Sequence, residues 1–194
     1  MERSWAGFEI GVKEKKMGIR GSDTHSLMFT DVRVPKENRI GEDGFGFNFA
    51  MAVLNGGRIG IASQALGIAT GAYELSLKYA QERQAFGKEI FKHQAIAFKL
   101  VDMATQIMAA KMLCLKAASE KDEGKDITQS GAMAKLFASQ TAMDTTIEAV
   151  QIHGGNGYVS EYHVERMMRD AKITQIYEGT SEIQRIVISR TLVK

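Results

Sequence analysis

Three short stretches of the 194-residue sequence gather residue types that can do chemistry. In Ile176-Tyr177-Glu178-Gly179-Thr180-Ser181-Glu182, a carboxylate follows two apolar residues and precedes a glycine and two hydroxyl residues. Thr180 or Ser181 suits the N-cap of a helix. Glu178, just outside that cap, suits a general base if its apolar neighbours strip it of water, because desolvation raises a carboxylate's pKa. The alternative is a solvated carboxylate near a helix N-terminus. In Gln151-Ile152-His153-Gly154-Gly155-Asn156-Gly157-Tyr158, backbone free of Cβ atoms can present N–H groups closely to a ligand. The alternative there is a helix stop and a turn. In Glu82-Arg83-Gln84-Ala85-Phe86-Gly87-Lys88, an arginine beside a break can grip a phosphate bidentately. It can equally be a cation compensating a helix C-terminus.

Other chemistries find little support. His25, His93, His153 and His163 are not spaced as ligands with one another or with Cys114, so no metal site is expected. Each reads as a surface or interface histidine, with His93-Gln94 set aside for a further role. Cys114 falls on an apolar helical stripe and reads as core. As the single cysteine it forms no internal disulfide. The nucleophile-elbow, dinucleotide and P-loop motifs are absent, and Gly41–Gly46 lacks their strand–loop–helix context. Lys+Arg number 25 against 23 Asp+Glu, a formal net charge of +2, so no cation excess is available for a nucleic acid. With 44% hydrophobic and 25% charged residues, disorder is not expected. No apolar run is long enough for a membrane span. The first residues show neither an apolar nor an Arg/Ser-rich leader pattern.

The elements that must position these residues change character along the chain. Up to about residue 40, short β-type runs (Phe8–Val12 and Leu27–Val34, with Leu27/Phe29 and Val32/Val34 alternating) are separated by glycine-containing turns. Two or three strands alone are too few for a stable sheet. After that the period is helical. Ile61, Ala65, Ile68, Ala72, Leu75 and Tyr79 form one stripe. Ile96, Leu100, Met103, Ile107, Ala110 and Cys114 form a second. Met133, Leu136, Gln140, Met143, Ile147 and Val150 form a third, and Ile183, Ile186, Val187 and Arg190 a shorter fourth. Breaks fall at Phe86–Lys88, Asp122–Asp126 and Gly154–Gly157, with Thr128 a suitable N-cap. Short breaks between long helices favour antiparallel neighbours. The expected fold is mainly α: an up-down four-helix bundle of long helices with a short C-terminal helix, preceded by a few β-strands.

Several runs carry a resemblance. They are Leu54-Asn55-Gly56-Gly57-Arg58-Ile59-Gly60-Ile61-Ala62, Glu82–Lys88, Gln151–Tyr158 and the long stretch Met168–Arg185, which contains Arg169-Asp170-Ala171-Lys172 and Tyr177-Glu178-Gly179-Thr180. Together they resemble the acyl-CoA dehydrogenase family, in particular its short-chain or butyryl-CoA type. Asp31-Val32-Arg33-Val34-Pro35 is similar to the strand end that leaves the family's β domain. The resemblance is to the C-terminal part alone, since a full member adds an N-terminal helical domain and a complete middle β domain. It implies that residues 1–40 are the last strands of an incomplete β domain, that residues 41–194 are the bundle domain, and that the chain is a fragment of a longer enzyme.

What the resemblance implies chemically is FAD-dependent α,β-dehydrogenation of a short-chain acyl-CoA to the trans-2-enoyl-CoA. Glu178 matches the base that takes the α-proton while the β-hydrogen leaves as hydride to flavin N5. The thioester carbonyl would be held by the Glu178 backbone N–H and the flavin ribityl hydroxyl. Some relatives carry the base immediately before the arginine matching Arg58. Gly57 stands there in this sequence and cannot act. The resemblance sets Asn55, Arg58, Tyr177 and Gly179 near substrate, with Asn55 where many relatives have Asp. It sets Arg83, Phe86, His93, Gln94, Gln151, Gly154, Gly155, Thr180 and Glu182 around FAD. The first seven of these would reach a flavin bound mainly by a neighbouring subunit. His153 departs from the Leu or aromatic residue the pattern expects. A homo-oligomer (a tetramer or dimer of dimers), an electron-transfer flavoprotein as electron acceptor, and a bacterial cytoplasm or mitochondrial matrix are the further implications. An isolated fragment would be inactive and would self-associate through exposed apolar surface. The alternatives are an oligomerisation module without activity of its own, or an acyl-CoA oxidase-like relative.

Overall fold

An antiparallel strand pair opens the fold: β1 (Phe8–Lys13) pairs with β2 (His25–Phe29), Phe8 opposite Phe29 and Ile10 opposite Leu27. The computed structural model describes residues 1–193. Its chain divides into two compact units, Met1–Val53 and Leu54–Lys194. In the first unit the Phe8 and Phe29 rings stack at 5.3 Å, and the ladder slips at a bulge between Ile10 and Lys13. Ile10, Val12, Leu27, Met28 and Phe29 all stay exposed, as two strands without a covering layer must leave them. Val32 and Val34, expected in a strand, have no ladder partner. Asp31 takes a left-handed φ of 50°, which turns the chain away just after β2.

Five helices follow. They are α1 (Gly46–Glu82), α2 (Gln94–Asp122), α3 (Thr128–His153), α4 (Val164–Ile173) and α5 (Ser181–Leu192). A miniature hairpin, β3 (Gln84–Ala85) and β4 (Lys88–Glu89), links α1 to α2. Its two turn residues, Phe86 and Gly87, both have positive φ (52° and 80°), the geometry a two-residue hairpin requires. The break between α2 and α3 falls where glycine and charge cluster. Thr128, expected as the N-cap, is instead the first helical residue, because the Asp126 carboxylate accepts its N–H at 2.9 Å. Among the described residues no helix is long and apolar enough to cross a membrane.

The helices pack along small residues. Ala62, Ala65 and Ala69 of α1 meet Ala110, Cys114 and Ala117 of α2, Ala134, Ala138 and Ala142 of α3, and Ala171 of α4, all buried. Burial also raises the Cys114 thiol above its ordinary pKa. The α2 stripe is buried as its spacing predicts, with Leu100, Met103, Ala110 and Cys114 inside. The α1 and α3 stripes are rotated from expectation. In α3 the buried face runs through Gly131, Ala134, Ala138, Ala142 and Ala149, while Gln140 and Ile147 are exposed. Helices crossed on several sides place Ala and Gly on the line of closest approach and push the larger aliphatics to its flanks.

Candidate active site

The loop from Thr174 to Thr180 is built to hold one unusual turn. Thr174 is buried and donates its hydroxyl to the Ala171 carbonyl at 2.7 Å. Ser181 N–H reaches the Gln175 carbonyl at 3.0 Å, and the Thr180 side chain caps α5 by accepting from Ile183 N–H. Inside this loop Glu178 and Gly179 are both left-handed, with φ of 55° and 87°. The glycine adopts this freely, whereas a glutamate does so at a cost of about 1–3 kcal/mol that surrounding contacts must offset. Those contacts come from two fully buried side chains. Lys135 Nζ donates to the Gly179 carbonyl. Gln184 Nε2 donates to the Gly179 and Glu178 carbonyls at 2.9 and 3.2 Å.

The turn aims the Glu178 carboxylate at α1. A Cβ at Gly57 would lie 2.6 Å from Glu178 Oε2, so only glycine leaves the carboxylate its place. Oε2 is enclosed and accepts no hydrogen bond, and the Glu178 N–H donates to no protein acceptor among the described residues. Next along α1, Arg58 is 6% exposed and donates to Asn55 Oδ1 at 2.6 Å, while Asn55 Nδ2 reaches Thr128 Oγ1 at 3.3 Å. Arg58 Nε also lacks a partner. Burial depresses the Arg58 pKa, against the pull of Glu178. Burial, then Arg58, push the Lys135 ammonium down to about 8, with Glu178 and Glu182 pulling the other way. Tyr177 donates its hydroxyl to Gln64 Oε1, and burial raises its phenol. Glu182, in the first turn of α5, is held below the usual carboxylate range by its own backbone N–H and by Thr180.

The remaining site candidates lie at the far end of α1. From Gly57 to Glu82 the helix runs 25 residues, about 38 Å at 1.5 Å per residue. There Arg83 is exposed, and its carbonyl accepts the Ile90 N–H at 2.8 Å. Phe86 is 96% exposed, with the His93 ring edge-on to it at 6.0 Å between centroids. His93 Nε2 lies 3.2 Å from the Ala85 carbonyl oxygen, and Gln94 is exposed at the start of α2. The end of α3 comes to the same place, because the Tyr79 hydroxyl contacts the His153 carbonyl at 3.4 Å. Gln151, Gly154 and Gly155 are exposed there, and a Cβ on either glycine would meet nothing within 4 Å. Gly157 differs, since a Cβ would lie 2.4 Å from the Val150 carbonyl oxygen. His153, expected at a surface or interface, is 5% exposed: its ring stacks on Tyr79 at 4.2 Å and its Nδ1 lies 2.8 Å from the Ala149 oxygen. Burial lowers its pKa.

The family profile described as the C-terminal domain of acyl-CoA dehydrogenases matches residues 44–193. The chain belongs to the acyl-CoA dehydrogenase family. The short-chain specific acyl-CoA dehydrogenase of Megasphaera elsdenii is 54% identical over 194 residues, which is 100% of this chain and 51% of that protein. The three-dimensional structure of butyryl-CoA dehydrogenase from the same organism superposes with a TM-score of 0.98 at 54% identity, covering 100% of this chain and 51% of the other. A chain in the structure of the electron transferring flavoprotein of Acidaminococcus fermentans gives a TM-score of 0.98 at 53% identity, again over 100% and 51%. This chain thus spans about half the length of the relatives it matches.

Within this acyl-CoA dehydrogenase bundle, the fold brings Glu178, Tyr177, Gly179, Thr180, Glu182, Arg58 and Asn55 to one end. Arg83, Phe86, His93, Gln94, Gln151, Gly154 and Gly155 gather at the other. Sequence reasoning did not single out Lys135, Gln184 or Gln64. The available signal for Lys135 is its setting: a lone cation on the helix face formed by Gly131, Ala134, Ala138 and Ser139, where a solvated lysine has no place.

Proposed function

We propose that this chain is the catalytic C-terminal part of an FAD-dependent dehydrogenase of short-chain acyl-CoA thioesters, with Glu178 as the α-proton base. One observation carries it: an enclosed carboxylate oxygen without a hydrogen-bond partner, aimed into space that Gly57 keeps open. A structural carboxylate in such a place would be paired. Oε2 is therefore free to accept a proton from carbon. The Glu178 N–H, with no protein acceptor, suits the thioester oxygen, whose charge grows as the α-proton departs. The short-chain specific name of the Megasphaera relative supports the chain length.

The residues present fit FAD. Thr180 and Glu182 would hold it next to Glu178. Arg83, with the unobstructed Gly154 and Gly155 backbone, suits a pyrophosphate or adenine end. When bound, the flavin supplies the acceptor for the β-hydride. The 25 helical residues separating the two sets argue that the distant set serves a flavin on a second copy of the chain, so the working form is a homo-oligomer. Exposed Phe98, Val101, Met108, Met112 and Leu115, spaced three, seven, four and three residues apart on α2, supply apolar surface for such association. An electron-transfer flavoprotein is the proposed electron acceptor, in keeping with the Acidaminococcus structure. The test is Glu178→Gln in the full-length holoprotein. Turnover of butyryl-CoA should fall by roughly 10²–10⁴-fold with flavin absorbance retained. Near-normal turnover would overturn the proposal.

A further inference from the structure

We propose that Lys135 is a positioning residue for Glu178: its buried ammonium, with Gln184, clamps the Gly179 carbonyl and fixes the turn that aims the carboxylate at Gly57. This rests on Glu178 being the base. The geometry is specific. Lys135 is 0% exposed and comes from the middle of α3, an element separate from the loop it contacts. Its ammonium donates to a backbone oxygen and makes no salt bridge among the described residues. Its charged surroundings are Arg58 on α1, Glu178 in the loop and Glu182 in the first turn of α5.

Stability alone does not account for a lysine here. An unpaired buried cation is costly, and the neighbouring Gly131, Ala134, Ala138 and Ser139 show that this face is otherwise built of small, uncharged residues. What the ammonium does is hold one oxygen, that of Gly179. Gln184 holds the same oxygen from α5 and reaches the Glu178 carbonyl as well. Two donors from two helices thus pin the two left-handed residues, and rotation of either peptide would break at least one of these bonds. Glu178 has no side-chain hydrogen bond of its own at Oε2, so its direction is inherited from the backbone. A clamp on that backbone is therefore a clamp on the base.

The test uses the full-length holoprotein. Lys135→Met should lower kcat for butyryl-CoA by about 10–100-fold, as expected when a reacting group is displaced by about an ångström. KM should stay within about twofold and flavin content should be unchanged, while Lys135→Arg restores most of the rate. A purely structural lysine would lower Tm and leave kcat per folded, flavin-loaded molecule intact. That result would overturn the proposal. Glu178→Gln, run in parallel, separates the two claims. If it keeps turnover, the base assignment fails. If it abolishes turnover while Lys135→Met keeps kcat, only the positioning role fails. Should Lys135→Met not fold, the wild-type protein decides by NMR. A slowly exchanging Lys135 ammonium in contact with Gly179 supports the clamp, and a freely exchanging one overturns it.

Discussion

At one end of α1 the bundle encloses Glu178 beside two buried cations, Arg58 and Lys135, and a phenol bonded to Gln64. At the other it leaves Phe86 96% exposed and Gly154 and Gly155 with open space around them. The first end is an interior whose groups are fixed before any ligand arrives. The second is a surface with a strained hairpin tip, a cation and bare backbone, and nothing in its own unit to cover them. On the proposed function the difference gives one bundle two purposes. The proposed chemistry, which needs a carboxylate of fixed direction, sits where several helices converge. The proposed contacts to another molecule sit where the helices end and the chain turns back.

The contrast is open to attack from the chemical end first. Gly57→Val should displace the Glu178 carboxylate and cut turnover by about 10²-fold or more in steady-state assays, since a Cβ there would lie 2.6 Å from Oε2. A milder loss would mean that the enclosure yields. The pH dependence of stability comes next. With its pKa lowered to about 8, Lys135 binds its proton less tightly folded than unfolded, so its destabilising contribution is full below pH 8. It is relieved as pH rises from about 8 towards the unfolded value of 10.5. Urea titrations should show wild type gaining up to about 3 kcal/mol over that window relative to Lys135→Met. A parallel pair of curves would remove the buried cation from the picture.

At the other end, the two kinds of glycine should separate. Gly157→Ala should cost about 1–3 kcal/mol in thermal or urea unfolding, because its Cβ would meet the Val150 carbonyl. Gly155→Ala should change stability by less than about 0.5 kcal/mol. Thr180→Ala, removing the α5 cap, should cost about 1 kcal/mol. Smallest of all is Arg83→Met: stability within about 0.5 kcal/mol of wild type, with flavin occupancy in the full-length protein reduced in its absorbance spectrum. Full occupancy would sever the far end from the cofactor.

The sequence made some of this visible and concealed the rest for identifiable reasons. The α2 stripe was legible because its seam is built of Leu, Met and Ile as well as small residues. In α3 the large residues mark the flank and the small ones the seam, so periodicity of bulk pointed one step aside. The ten residues of α4 give too few turns for a stripe to declare itself. Thr180 as a helix cap and the helix stop at Gly154 were legible because these residue types are tied to local backbone geometry. Lys135 and Gln184 act across long separations in the chain. His153 was misjudged for the same cause: its stacking partner Tyr79 lies on a different helix.

A core made of Ala62, Ala65, Ala69, Ala134, Ala138 and Ala142 has little left to lose. Truncation, the commonest injury to protein interiors, can go no further there than glycine, at about 1 kcal/mol of helix propensity and almost no void. Enlargement is a different matter, for each added methyl must wedge two helices apart. The spacing that lets Gly57 face Glu178 is therefore shielded against erosion and vulnerable to growth, and variants of this bundle should tolerate shrinkage along the seam far better than expansion.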